Sequence, residues 1–333
     1  MNPGPVLALA GARGLVGEEI LKVLEERGTP LRGLRLWSRQ PQGRRRLFRG
    51  EEIPYTRAGA EALAGCDILL HAGPAASGHS LGLAAEAAGV AFVDLSEAWR
   101  LEPRTPLVLP ELLQAAGLPD SPARRWALPN CTVTGPALVL VPLARRYGLQ
   151  RLSLTTLQAV SGLGRRALAA FATGAAERPV REEAPPGLPR PGDLLPWCGG
   201  APEAGRRASP EERSVEAELR RLLAPAAPHI EVFCLRAPVR RGHGATLWVE
   251  TEAPLEDTEA LRAILPAAVH WAASPAPGPG EAAGRPELLL ARPRWDPAEP
   301  RRLGLWLAWD NLHCGAALPA VRLVEILGAT LRG

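Results

Sequence analysis

The sequence predicts an α/β protein, a Rossmann-type doubly wound nucleotide domain joined to an α+β domain, and three observations carry that expectation. A short apolar run, Val6 to Ala10, opens directly into the glycine loop Gly11-Ala-Arg-Gly14-Leu-Val-Gly17. Apolar runs then alternate with helical spacings. Beyond Cys131 the strand-like runs lengthen and alternate apolar with polar residues. Strands alternating with helices form a parallel sheet covered on both faces, whereas long alternating runs fit a mixed or antiparallel sheet. The expected domains are 1–130, with the last helix (316–333) packing back on it, and 131–315.

Each element has its own signal. Glu18 to Glu26 places Ile20, Leu21 and Leu24 on one helical stripe, and Gly28 sits where that helix stops. Leu34 to Trp37, Asp67 to Ala72 and Val90 to Asp94 read as strands, with the alanine-rich Leu81 to Ala88 as a helix between the last two. A helix over Pro136 to Tyr147 leads into a strand over Arg151 to Gln158. Pro179 to Pro210, rich in Pro, Gly and Arg, reads as loop. A charged helix (Glu211 to Leu223), alternating runs (Ile230 to Arg236, Ala245 to Glu250), a strand (Leu303 to Trp309) and a closing helix (Pro319 to Leu331) complete the chain.

Composition narrows the function. Of 333 residues, 46% are hydrophobic and 22% charged, which is ordinary globular composition. The net charge of +4 is spread along the chain, and its one dense stretch, Gly43 to Arg49, is too short and too poor in aromatics for nucleic acid. Lys22 is the only lysine among 39 basic residues, a compositional bias towards arginine. Five scattered cysteines include no CxxC or zinc spacing, so neither disulfides nor a metal site is expected. No signal peptide and no membrane-spanning apolar stretch is read, and a reducing cytoplasm is the expected setting.

Two regions could carry chemistry. The Gly11 to Gly17 loop stands between a strand and a helix, where backbone N–H groups and the helix dipole favour a pyrophosphate, although GxxGxxG is not the usual spacing. The second strand ends in Ser38-Arg39 where an NAD-specific fold has an acid. Arginine there suits a 2′-phosphate and points to NADP; a merely arginine-rich loop is the rival reading. Cys131 follows Pro129-Asn130 and precedes a helix, a place that stabilises a thiolate nucleophile, though a lone cysteine is often a small buried hydrophobe. His243, in Arg-Arg-Gly-His-Gly, is either an acid/base or an exposed turn histidine, and spacing does not choose.

The segments Gly11 to Gly28, Asp94-Leu-Ser-Glu-Ala-Trp-Arg100, Pro129-Asn-Cys131, Gln158-Ala-Val-Ser-Gly162, Arg236-Ala-Pro-Val-Arg-Arg-Gly-His243 and Asp310-Asn-Leu-His-Cys-Gly-Ala-Ala-Leu318 together resemble the aspartate-β-semialdehyde dehydrogenase family. They fall in family order over nearly the whole chain, and the Cys131–Gln158 and Arg236–His243 intervals match as well. The resemblance implies NADP-dependent reductive dephosphorylation of β-aspartyl phosphate, in lysine, threonine and methionine biosynthesis. Cys131 would form the thioester, His243 act as acid/base, and Gln158 orient the acyl group. Arg236 would grip the α-carboxylate and Glu211 face the α-ammonium, while Arg100, Asn130 and Arg213 would hold phosphate. Gly11, Arg13, Gly14, Leu15, Val16, Ser38, Arg39, Gly162 and Asn311 would line the cofactor. A homodimer or dimer of dimers is implied.

The chain also departs from the family pattern. A phosphate-binding lysine is replaced by Ser214, a loop threonine by Arg13, a basic pair by His313-Cys314 and an asparagine by Pro319. An expected Ala-Phe-Asn run reads Asp-Leu-Leu-Pro-Trp (193–197). These departures raise an alternative, a non-catalytic or substrate-divergent paralogue of the same family.

Overall fold

The computed structural model describes residues 4–41, 43–59, 61–113, 117–173, 187–190, 192–200, 205 and 207–330. It divides into two compact units, residues 1–130 with 316–333 and residues 131–315. Much of the predicted loop from Pro179 to Pro210 lies outside the described residues.

The first unit opens with β1 (Val6–Ala10) and α1 (Leu15–Glu26), then β2 (Gly33–Trp37), β3 (Arg45–Phe48) and β4 (Glu51–Thr56). It continues through β5 (Ile68–His71), α2 (Ala75–Ala87), β6 (Ala91–Asp94) and β7 (Arg125–Ala127). The seven strands lie in the order β3-β4-β2-β1-β5-β6-β7, parallel except for the β3–β4 hairpin. Strand side chains alternate between faces, and β1 shows the consequence. Leu7 and Leu9 join Ile20, Leu21 and Leu24 of α1 in one core cluster. Ala8 and Ala10 face the opposite cluster, with Leu81 and Ala85 of α2.

The second unit begins with α3 (Cys131–Tyr147), β8 (Leu149–Gln158), α4 (Arg165–Ala172) and α5 (Pro210–Leu222). It continues with β9 (His229–Arg236), β10 (His243–Thr251), α6 (Thr258–Ile264), β11 (Val269–Trp271), α7 (Pro279–Ala282), β12 (Leu288–Trp295) and β13 (Arg302–Trp309). Its six-stranded sheet runs β11-β12-β13-β10-β8-β9, with β8–β9 and β11–β12 parallel and the other pairs antiparallel. A capping box starts α5: Ser209 Oγ accepts from Glu212 N–H at 3.2 Å, and the Glu212 carboxylate accepts from Ser209 N–H at 2.6 Å. The other Glu212 oxygen accepts from Cys234 N–H at 3.0 Å, which moors α5 to β9.

Three predicted helices differ in their limits. The third helix starts at Cys131 rather than Pro136, so the thiol lies in its first turn, with Pro136 and Pro142 inside the helix. α2 begins at Ala75 behind Pro74, earlier than its alanine run suggests. The last helix, α8 (Leu318–Thr330), follows a π-helical turn at His313–Ala317.

Within the first unit, α8 places Val321, Leu323, Val324 and Leu327 in the α1 cluster. It also carries an ion pair, Arg322 Nη1 to Glu111 Oε1 at 2.8 Å, in which the Glu111 side chain is 4% exposed. Burial raises the Glu111 carboxyl above its ordinary value, and Arg322 opposes the rise. Removing one partner of a buried pair strands the other charge. The Arg322 side chain is 34% exposed, so solvent screens the pair and Arg322→Ala is expected to cost about 1–2 kcal/mol at neutral pH. A carboxyl raised in the folded state stabilises below its unfolded value and loses that stability as pH rises through its folded value. The loss in urea midpoint should consequently be larger at pH 8 than at pH 5; an equal loss at both would separate Glu111 from the effect.

Candidate functional site

The site is built where β8 ends and β10 begins. Cys131 opens α3, so its sulfur sits in the first turn, where unsatisfied N–H groups and the helix dipole favour a thiolate. β10 pairs with both β8 and β13, with Gly244 opposite Leu157 and His243 opposite Trp309. This register points His243 inward with Ala245, Leu247 and Val249, and Thr246, Trp248 and Glu250 outward. His243 Nε2 stands 3.6 Å from Cys131 Sγ.

The imidazole has a defined tautomer. Ala159 N–H donates to His243 Nδ1 at 3.0 Å, so Nδ1 is the lone-pair nitrogen and Nε2 carries the proton towards sulfur. Burial, and then the nearby Arg236 guanidinium, push the His243 pKa down to about 3. His243 is thus a neutral N–H donor at working pH. Trp309 packs edge-on to the ring at 5.7 Å and donates Nε1–H to Cys131 O at 2.8 Å, holding thiol and imidazole together.

Around this pair lies a set of polar groups. Gln158 closes β8 and donates Nε2–H to Glu211 Oε1 at 3.3 Å; Thr132 Oγ1 donates to the same oxygen at 3.1 Å. Arg236 closes β9 and donates Nη1–H to Ala159 O at 2.8 Å, while its Nε is buried with no partner among the described residues. Leu195 forms a two-bond antiparallel bridge to Arg236, so the divergent run 193–197 braces this guanidinium's backbone. Asn311 Oδ1 accepts from Ser161 Oγ and Gly242 N–H, both at 3.0 Å, and its Nδ2 is buried without a partner among the described residues. Gly162 stands beside Arg236, where a Cβ would lie 3.1 Å from Nη1.

The structure thus brings Cys131, His243, Gln158, Arg236 and Glu211 together, while Arg213 and Ser214 stand apart from them. Arg213 lies two residues beyond Glu211 on α5, about 200° around the helix. It is exposed and donates to Ala208 O at 2.7 Å, so it is not part of this cluster. Ser214 Oγ is bonded to Glu218 Oε1 at 3.0 Å. Thr132, Trp309 and the Ala159 amide were not singled out from sequence. The first two are unremarkable residue types at their positions, and a backbone amide leaves no sequence signal.

The remaining site residues belong to the first unit. Gly11 has φ +83°, and a Cβ there would lie 2.4 Å from Ala72 O, so only glycine fits. Gly14 is the N-cap of α1 and offers no side chain to its first turn, and Leu15 and Val16 begin the helix. Arg13 Nη1 donates to Gln40 O at 2.6 Å, linking the loop to the segment after β2. Ser38 Oγ accepts from Gln40 N–H at 3.2 Å, and Arg39 is exposed. Arg100 is buried and donates Nε–H to Leu128 O and Nη2–H to Leu95 O. Asn130 ends this unit.

A partly exposed thiol against a buried imidazole, in a chain that also carries a dinucleotide-type α/β unit, is the equipment of one class, the oxidoreductases that work through a covalent sulfur intermediate. The family profiles described as semialdehyde dehydrogenase, NAD binding domain and dimerisation domain match residues 6–117 and 140–314. The aspartate-semialdehyde dehydrogenases of Prochlorococcus marinus and Synechocystis sp. are 30% and 31% identical, covering 96% and 98% of this chain and 95% and 98% of theirs. The crystal structure of aspartate semialdehyde dehydrogenase II from Vibrio cholerae, complexed with ASA, superposes with a TM-score of 0.86 at 25% identity over 98% of each chain. The chain belongs to the aspartate-semialdehyde dehydrogenase family.

The tautomer has a measurable consequence. Between pH 6.5 and 3 the unfolded His243 binds a proton that the folded one does not, so its burial makes stability fall as pH drops through that range. Nitrogen-15 NMR is expected to show His243 neutral from pH 5 to 8, with Nδ1 unprotonated. A titration near 6.5 would show that burial and Arg236 do not depress the ring, and a protonated Nδ1 in the neutral form would show that the Ala159 amide does not set its tautomer.

Proposed function

We propose that the chain catalyses the NADP-dependent reductive dephosphorylation of β-aspartyl phosphate to aspartate β-semialdehyde through a Cys131 thioester. The observation that carries this reading is the Cys131 sulfur, on a helix N-terminus and 3.6 Å from an imidazole donor. The thiolate attacks the acyl carbon, the carbon–oxygen bond to phosphate breaks, and phosphate leaves. The cofactor, when bound, supplies the hydride that reduces the thioester. His243 donates through Nε2–H to sulfur, favouring the thiolate before attack and as the leaving group when the thiohemiacetal collapses. Gln158 orients the acyl group.

Substrate roles follow from donor chemistry. The unpartnered, buried Nε of Arg236 suits the α-carboxylate, and the Glu211 carboxylate suits the α-ammonium. Arg100 and Asn130 are assigned to phosphate; Arg213 is left out because of its position on α5. The bare glycine loop and the uncapped first turn of α1 fit a pyrophosphate. Ser38 and Arg39, with no acid at the end of β2, fit a 2′-phosphate, and Gly162 and the Asn311 amide are further cofactor residues. The relatives named above are both called aspartate-semialdehyde dehydrogenases, and nothing favours the non-catalytic reading. None of the five cysteines is disulfide-bonded, which fits a reducing cytoplasm. No helix among the described residues is long and apolar enough to cross a membrane.

Homodimerisation is assigned to the outer face of the second unit's sheet. Phe233 is 62% exposed and Trp248 36% exposed. The Trp248 ring lies over Gly304, where a Cβ would sit 2.8 Å away, and the Arg302 guanidinium stacks on it at 5.0 Å. A flat aromatic centre with a charged rim is the composition of a protein–protein interface.

Two measurements test these assignments. Phosphate-dependent reduction of NADP by aspartate semialdehyde should be observed, faster with NADP than with NAD, and should fall about a thousandfold or more in Cys131→Ala. No turnover in the wild-type protein would overturn the proposal. Trp248→Asp should convert the dimer to monomer by light scattering at micromolar concentration; an unchanged mass would move the interface elsewhere.

A further inference from the structure

We propose that Ser77, His71 and Asp94 form a second nucleophilic centre, in the first unit, that hydrolyses small activated acyl esters. His71 ends β5 and Asp94 ends β6, and the parallel register pairs them directly. Their side chains therefore emerge on the same face at the carboxyl ends of neighbouring strands. α2 follows β5 after a short turn and returns Ser77 to the same place. Asp94 Oδ1 lies 2.8 Å from His71 Nδ1, and His71 Nε2 lies 2.9 Å from Ser77 Oγ. This is the acid–imidazole–hydroxyl order of a serine nucleophile, where the roles are defined by geometry and not by chain position.

The supporting contacts give each group its role. The Asp94 carboxylate is fully buried and also accepts from Ser96 N–H at 3.0 Å and from Ser96 Oγ at 2.7 Å. It is held in place to accept Nδ1–H, which leaves Nε2 as the base facing the hydroxyl. Ser77 Oγ donates its proton to Pro74 O at 2.8 Å and lies 2.9 Å from His71 Nε2, so a rotation about the Cβ–Oγ bond is needed to turn the proton from the carbonyl to the base. At Gly73 a Cβ would lie 2.8 Å from His71 Nε2 and 3.3 Å from Ser77 Oγ. Glycine therefore leaves the hydroxyl open at the point of attack. The first bonds of α2 are made by the N–H groups of Ser77 and Gly78 to Pro74 O. The preceding N–H groups of Ala75 and Ala76 have no place in the helical ladder and suit a developing oxyanion.

The reaction balances with water alone. Ser77 Oγ bonds to the acyl carbon as its proton passes to His71 Nε2, and that proton goes to the departing alcohol oxygen. Water then adds to the acyl-serine through the same base, releasing a carboxylic acid and restoring the hydroxyl. This activity is separate from that of Cys131, which lies in the other unit.

The test uses the full chain carrying Cys131→Ala, so that the thiol cannot react. A fluorophosphonate probe should place a phosphonyl group on Ser77, read by peptide mass spectrometry. p-Nitrophenyl acetate hydrolysis should exceed the buffer rate and fall about tenfold or more in Ser77→Ala and in His71→Asn. Ser77→Ala removes one partly exposed hydroxyl and keeps the His71–Asp94 pair, so it decides the matter if His71→Asn does not fold. A bare Ser77 under conditions that fully label a serine hydrolase in the same tube would overturn the proposal. So would ester turnover unchanged by Ser77→Ala, and the trio would then be a structural clamp between β5, β6 and α2.

Discussion

The second unit's chemistry depends on the register of three strands. β10 lies between β8 and β13, and its inward set runs His243, Ala245, Leu247 and Val249. A slip of one residue would exchange that set for Gly244, Thr246, Trp248 and Glu250. His243 would then face outward and Trp248 would enter the core. The buried aliphatic residues of β10 therefore hold the His243 imidazole in place against the Cys131 sulfur. The same register sets the outer face, because Trp248 can lie over Gly304 only when those two residues are directly paired.

A single buried carboxylate fixes how the chain enters β10. Asp310 follows β13 and is fully buried. It accepts from Arg241 Nε at 2.6 Å, from Gly284 N–H, and from the N–H groups of Leu312 and His313 at 2.8 and 2.9 Å. A buried charge with this many donors is compensated, and loss of any one partner would leave it exposed to the desolvation penalty. Arg241 and Gly242 are thereby tied to the turn after β13 just before His243 begins its strand. The basic, glycine-flanked setting of His243 is thus an anchoring device, which explains why an isolated look at Arg-Arg-Gly-His-Gly does not separate a catalytic from an exposed histidine.

Much of the fold was legible in the sequence because burial and periodicity coincide there. β1, β5 and β6 are short apolar runs buried on both faces, and β10 and most of β8 show clean alternation. What was missed has physical causes. β3 is an arginine-rich edge strand, so its residues read as charge rather than as a strand. β12 contains Pro293 and a register shift between Ala291 and Arg294, with Arg292 at φ +52°, and a bulge hides the period-2 signal. For the site, the helix after Cys131 was visible, but its pairing with a histidine 112 residues away came only from the family resemblance. The Ala159 amide that fixes the tautomer, and the His71–Ser77–Asp94 trio, arise from topology alone.

The departures from the family pattern bear less on the site than their number suggests. Pro319 falls in the first turn of α8, just after the π-helical turn, where the backbone ladder changes register and a missing N–H is tolerated. Arg13 is engaged with Gln40 O and stands by the Tyr55 ring at 5.9 Å, so it braces the glycine loop's neighbour instead of crowding its centre. The run 193–197 differs in sequence yet makes the two-bond bridge to Arg236 that any backbone can make. Ser214 is the exception, since its hydroxyl goes to Glu218 and no cation from α5 replaces the family lysine in the cluster. The first three positions act through backbone or lie at a margin; Ser214 is the one at which a charge is lost. The departures therefore fall outside the group that stands together in the second unit, the Cys131 sulfur, the His243 imidazole, the Gln158 amide and the Arg236 guanidinium.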